Sequence, residues 1–97
     1  MRIEYSNRIS KYIKDESTII KFYGKLSRSI IVCISVLIAA DYLSDVPNVP
    51  PTRRHKLNDG TWAIDVSKNW RMIVRPLNGN VPSNIDAIEI VSIEDYH

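Results

Sequence analysis

The sequence predicts an α+β layer: one curved, mainly antiparallel sheet of four to five strands, with two N-terminal helices packed on one of its faces. Three observations predict it. Residues 52–75 read as two successive hairpins with strict alternation of apolar and polar side chains. Residues 30–43 form an apolar stretch too long for an ordinary strand. Ala87 to Ile93 is apolar except for Glu89 and Ser92, as suits a central strand covered on both sides.

The elements follow in order. Met1, Ile3 and Tyr5 alternate with Arg2 and Glu4, the pattern of a short strand near a sheet edge. Ser6 and Asn7 can cap a helix, since their side chains accept from amide groups that lack partners at a helix start. Ile9, Tyr12 and Ile13 then recur at helical spacing, and Ile19, Ile20 and Tyr23 do so over Glu16 to Tyr23. The two stretches are compatible with one helix or with two broken near Asp15. Gly24 is a break. Lys11, Lys14, Lys21, Lys25 and Arg28 line the solvent side.

Leu26 to Leu43 is rich in β-branched residues, which favour strands, yet its length argues for a helix, apolar nearly all round. Ser44, Asp45 and Pro47 end it, and Asn48-Val49-Pro50-Pro51 is an extended linker stiffened by proline.

Arg53 to Leu57 is a short basic strand, and Asn58-Asp59-Gly60 is a hairpin turn, where Asp-Gly supplies the positive φ angles required. In Thr61 to Val66, Trp62, Ile64 and Val66 point one way and Thr61, Ala63 and Asp65 the other. Ser67-Lys68-Asn69 turns the chain again. Trp70, Met72 and Val74 then form a second apolar row, with Arg71, Ile73 and Arg75 opposite. Pro76 to Asn84 is an irregular loop before the last strand.

Ninety-seven residues make one domain, 1–97, with one modest core. The net charge of +2 does not by itself demand a nucleic acid partner. Its distribution says more: residues 53–75 hold six Lys and Arg against Asp59 and Asp65, while Asp86 to Asp95 holds four acids and no base. A local basic face is what a polyanion meets. The single cysteine, Cys33, lies in an apolar run and reads as a buried, inert thiol. No zinc-ligand spacing and no signal peptide are visible. The longest apolar run, Ile30 to Ala40, is short of the roughly 20 residues that span a bilayer, so a cytoplasmic protein without a membrane partner is expected.

The motifs Arg54-His55-Lys56-Leu57, Gly60-Thr61-Trp62-Ala63-Ile64, Asn69-Trp70-Arg71-Met72-Ile73 and Glu89 to His97, ending on Asp-Tyr-His, occur in an order and spacing that resembles the HigB branch of the RelE/ParE-type toxins. The specific motifs run from about residue 46 onward, and the helical half matches by pattern. The resemblance implies the same compact sheet with two N-terminal helices. It also implies the toxin of a type II toxin–antitoxin pair, an endoribonuclease that cuts mRNA on the ribosome without a metal or other cofactor. The partners implied are a cognate antitoxin with a helix-turn-helix DNA-binding domain, the ribosome with its mRNA, and operator DNA through the antitoxin.

By the same resemblance, His55 and His97 are the candidate proton-transfer groups, in either order, because imidazole titrates near neutrality. Asp95 would orient His97, and Tyr96 would stack on a base or donate to a phosphate oxygen. Arg71 and Arg54 would stabilise the charge of the transition state, since a guanidinium fits two phosphate oxygens at once. Arg53, Lys56 and Arg75 complete the RNA-binding set. Two departures stand out. The turn 58–60 lacks the longer basic loop common in this branch, and Asp65 stands where RelE-like members tend to carry lysine. Asp65 is also a possible partner for Arg71 across the hairpin. Two other readings therefore remain: a ParE-like toxin that inhibits gyrase, and a degenerate toxin kept as an antitoxin-binding and operon-repressing module.

Overall fold

The computed structural model describes residues 1–96. Strand β1 (Arg2–Tyr5) leads into helices α1 (Asn7–Ile13), α2 (Glu16–Tyr23) and α3 (Ser27–Ala39); strands β2 (His55–Lys56), β3 (Trp62–Asp65), β4 (Trp70–Pro76) and β5 (Ala87–Asp95) follow. The five strands form one sheet in the order β1-β5-β4-β3-β2. β1 lies at an edge, as its short alternating pattern suggests, and pairs parallel with β5; every other pair is antiparallel. The sheet is thus mixed, because the chain passes through all its helices and the later strands before β5 comes to lie beside β1.

The register divides the sheet into two faces. Trp62, Val74 and Ile90 stand side by side, as do Ile64, Met72 and Ile93. Ile64, Met72, Val74, Ile88 and Ile90 are fully buried and pack with Ile9, Ile13, Ile19, Ile30 and Leu37 of the helices. The other face carries the rows Ala63–Ile73–Ser92 and Asp65–Arg71–Glu94. The alternation in residues 61–75 assigns these faces correctly because successive side chains of a strand must point to opposite sides. A β-bulge between Ile73 and Val74 shifts the pairing with β5.

Asp15 decides between one helix and two. Its backbone is extended, and its Oδ1 accepts from Thr18 N at 2.8 Å and from the Ser17 and Thr18 hydroxyls at 2.8 Å each, so α2 starts afresh. The backbone bond from Thr18 leads the side-chain bonds from Thr18 and Ser17 in lowering the Asp15 carboxyl from 3.8 to about 2. A depressed carboxyl adds stability that is complete above its unfolded pKa and is lost as pH falls through its folded one. Asp15→Asn is therefore expected to remove part of the acid sensitivity of the fold between pH 4 and pH 2. Paired thermal melts of wild type and variant across that window check this, and parallel pH profiles would refute it.

Gly24, at φ +50°, ends α2 in a conformation that disfavours a side chain. The helical stretch Glu16–Ala39 spans 24 residues and, by length and composition, is long and apolar enough to cross a membrane. In this fold its inner side, with Ile30, Cys33, Ile34 and Leu37, is buried against the sheet. The helix ends at Ala40, where the backbone becomes extended, and Leu43–Asp45 forms a separate 3₁₀ turn; the expected helix to Leu43 is thus shorter by one turn. The Met1 ammonium donates to the Ile38 carbonyl at 2.9 Å and to that of Ala40, at the helix end where carbonyls lack partners. Burial pushes the Cys33 thiol up to about 12, which keeps it protonated and inert.

The outer side of the same helices leaves Ile20, Phe22, Val32 and Ile38 about half exposed. The all-round apolar character read from the sequence for the long helix is therefore present at the surface, at Val32 and Ile38.

Candidate active site

The first strand of the basic region is shorter than its sequence suggests, and the reason is local. Arg53 has φ +43°, in the left-handed region that most residues avoid. Its amide donates to the Val49 carbonyl at 2.9 Å, and that of Arg54 to Pro47 at 3.0 Å. The chain is thus folded back on its own linker and joins the sheet only at His55, opposite Ala63. This kink sends the guanidinium of Arg53 over the open face. His55 follows it onto the same face through its pairing with Ala63.

Four of the residues singled out from sequence meet there. Arg53 Nε donates to Asp65 Oδ2 at 2.8 Å and Arg53 Nη2 to Asp65 Oδ1 at 3.3 Å. Arg53 Nη2 also donates to the Tyr96 hydroxyl oxygen at 2.8 Å, and that hydroxyl donates to Asp65 Oδ1. The Arg71 guanidinium lies 5.0 Å from the centre of the Tyr96 ring, a cation–π contact, and 3.9 Å from Glu94. Arg71 Nε is buried and has no acceptor among the described residues. His55 Nδ1 is 2.8 Å from the Arg53 carbonyl oxygen. Since a carbonyl only accepts, Nδ1 carries the proton, and in the neutral ring Nε2 is left as the basic atom.

Partial burial pushes the Asp65 carboxyl up. Hydrogen bonds from Arg53 and Tyr96 and the charges of Arg53 and His55 outweigh it, so the carboxyl lies below its ordinary value. For Tyr96, burial and then the bond and charge of Asp65 raise the phenol against the opposing pull of Arg53. The site therefore holds an ionised carboxylate and a protonated phenol.

Other candidates lie elsewhere. Arg54 and Lys56 alternate with His55 and fall on the opposite side of the strand, where Lys56 pairs with Trp62. Arg54 donates to the Val46 carbonyl at 2.9 Å and lies 5.2 Å from the centre of the Trp62 ring, a strap for the linker and not a free cation. Its burial lowers its pKa. Arg75 shares the open face further along β4, paired with Glu89. Asp95 stands opposite Trp70 and so on the helix face, away from Tyr96. His97 lies outside the described residues. Among the described residues, no three of His, Cys, Asp and Glu are grouped so as to hold a metal ion.

No protein-family model matches the chain, and neither does any curated protein. Solved structures do match. A chain of the E. coli DinJ–YafQ complex superposes with a TM-score of 0.66 at 18% identity, over 99% of this chain and 94% of that one. A mutant of E. coli YafQ gives the same values. A YoeB/ParE toxin from Agrobacterium tumefaciens superposes with a TM-score of 0.61 at 12% identity over the whole of both chains. The chain has the RelE/ParE-type toxin fold.

On this RelE/ParE-type sheet the cluster occupies the face opposite the helices. Two of its members, Asp65 and Glu94, were not among the sequence-predicted site residues. The signal for Asp65 was available, since its alternation with Trp62 and Ile64 puts it on the row of Arg71. Its chosen partner is nevertheless Arg53, twelve positions back.

Proposed function

We propose that this chain is the toxin of a type II toxin–antitoxin pair, a HigB-like, ribosome-dependent and metal-independent endoribonuclease that cuts mRNA in the cytoplasm. The observation that carries the reading is the meeting of His55, Arg53, Arg71 and Tyr96 on the open face of a RelE/ParE-type sheet.

These residues suit transesterification of single-stranded RNA. His55 Nε2 takes the proton of a 2′-hydroxyl. The 2′-oxygen attacks the adjacent phosphorus, the bond to the 5′-oxygen breaks, and a 2′,3′-cyclic phosphate is left. The departing 5′-oxygen takes a proton from an acid; the Tyr96 hydroxyl is one donor within the cluster, and the family motif offers His97 as another. Arg71 and Arg53 meet the charge that develops on the phosphorane.

A cognate antitoxin is part of the proposal, with a helix-turn-helix domain through which the pair would reach operator DNA. The exposed Ile20, Val32 and Ile38 and the likeness to a chain of the DinJ–YafQ complex support a protein partner. One observation favours the degenerate-toxin reading. Arg53, Arg71 and Arg75 are each paired with a carboxylate, so the open face is less basic than the count of arginines suggests.

Translation in vitro of a defined mRNA, with cut sites mapped in the presence and absence of ribosomes, separates the two. Cuts that require ribosomes and fall within codons are expected. No cuts from a folded protein would leave the binding module, and gyrase inhibition would be the next assay.

A further inference from the structure

Asp65 joins Arg53, 12 positions before it, to Tyr96, 31 positions after it in the chain. The side-on fork of Arg53, with Nε on one carboxylate oxygen and Nη2 on the other, is the geometry with which a guanidinium grips a phosphodiester. The Tyr96 hydroxyl adds a third donor to the same oxygen pair. A carboxylate and the two non-bridging oxygens of a phosphodiester offer such donors the same target. Exposure orders the two partners: the Arg53 side chain is 45% accessible and that of Asp65 17%. An anion arriving from solvent therefore meets the guanidinium while the carboxylate lies beneath it. On the open face of β3, Asp65 follows Ala63, so it is the one acid that strand places there.

We propose that Arg53 and Tyr96 form a phosphodiester subsite that Asp65 occupies in the free protein, so that single-stranded RNA binds by displacing an internal carboxylate. This rests on the RNA-directed reading above and adds what fills the site before substrate does. Asp65 is then a residue that sets ground-state affinity, and the free protein holds its arginine pre-oriented by a competitor.

The test is binding, not cleavage. A short single-stranded RNA methylated on its 2′-oxygens lacks the nucleophile and reports affinity alone, by fluorescence anisotropy. Asp65→Asn is expected to bind about tenfold tighter than wild type, with a salt dependence steeper by about 0.7 in log–log slope, as for one additional phosphate contact on a single strand. Arg53→Ala in the Asp65→Asn background is expected to abolish the gain. Binding no tighter than wild type, or a gain that survives Arg53→Ala, overturns the proposal. Should Asp65→Asn melt below the assay temperature, wild type answers instead through the NMR cross-peak of Arg53 Nε–H. That peak must move on addition of the RNA, and a peak that stays while RNA binds overturns the proposal equally. Failure of the toxin reading shows as absent ribosome-dependent cuts and leaves these binding outcomes unaffected.

Discussion

His55→Ala is expected to lower ribosome-dependent cleavage by about 10²–10⁴-fold, the range ordinarily lost with a general base. The Arg53 carbonyl fixes which ring nitrogen carries the proton, and the pairing of His55 with Ala63 fixes the face on which the other is presented. Arg53 and Tyr96 stand beside it to receive a phosphate. The fold does not depend on the ring: His55 belongs to a two-residue strand at the sheet edge and lies outside the hydrophobic core. Its removal should therefore leave the thermal melt within the small range of most surface changes, about 0.5 kcal/mol. The check is the rate of mapped cuts in the translation reaction beside circular-dichroism melts of both proteins. A loss of only a few fold, with the fold intact, would remove His55 from the base role and pass it to another group.

Leu37→Ala is expected to cost the fold about 2–5 kcal/mol, the penalty for emptying a large buried aliphatic site. Leu37 is wholly buried on the inner side of α3. Against a total stability of about 5–15 kcal/mol for a domain of this kind, that is a large fraction. Val32, on the same helix, is 52% exposed, and Val32→Ala should change stability by no more than about 0.5 kcal/mol. Urea denaturation of the two variants measures the contrast. Equal effects would mean that α3 is turned about its axis relative to the arrangement described, or that its outer face is covered by a second molecule under the conditions of the assay.

Both expectations depend on features of unequal legibility. The apolar helix was readable from its length, even though Ile30, Ile31, Val32, Ile34, Val36 and Ile38 are β-branched: burial on the sheet overrides a propensity that is worth only a few tenths of a kcal/mol per residue. Which of these residues face inward was not assigned, because a helix apolar nearly all round has no stripe to orient it. The strand after the Asp-Gly turn and the one after it were readable to the side chain, since alternation is a property of the strand itself. The basic strand before them was not. Arg53, with its left-handed φ, folds the chain back on its own linker, so the strand expected over Arg53 to Leu57 shrinks to His55–Lys56 and Arg54 is tied to the linker.

By itself, then, the sequence determined the α+β layering, the break at Gly24, the buried thiol and the two faces of residues 61–75. Each of these follows from periodicity or from the chemistry of a few adjacent residues. The tertiary structure alone decided that β1 runs parallel beside β5. It also decided that Asp65 pairs with Arg53, with Tyr96 closing over both, and that Arg54 braces the Val46 carbonyl. These contacts join positions 8 to 85 apart in the chain, and what selects them is the geometry of strands already packed: local pattern says which way a side chain points, and only the assembled sheet says what it meets there.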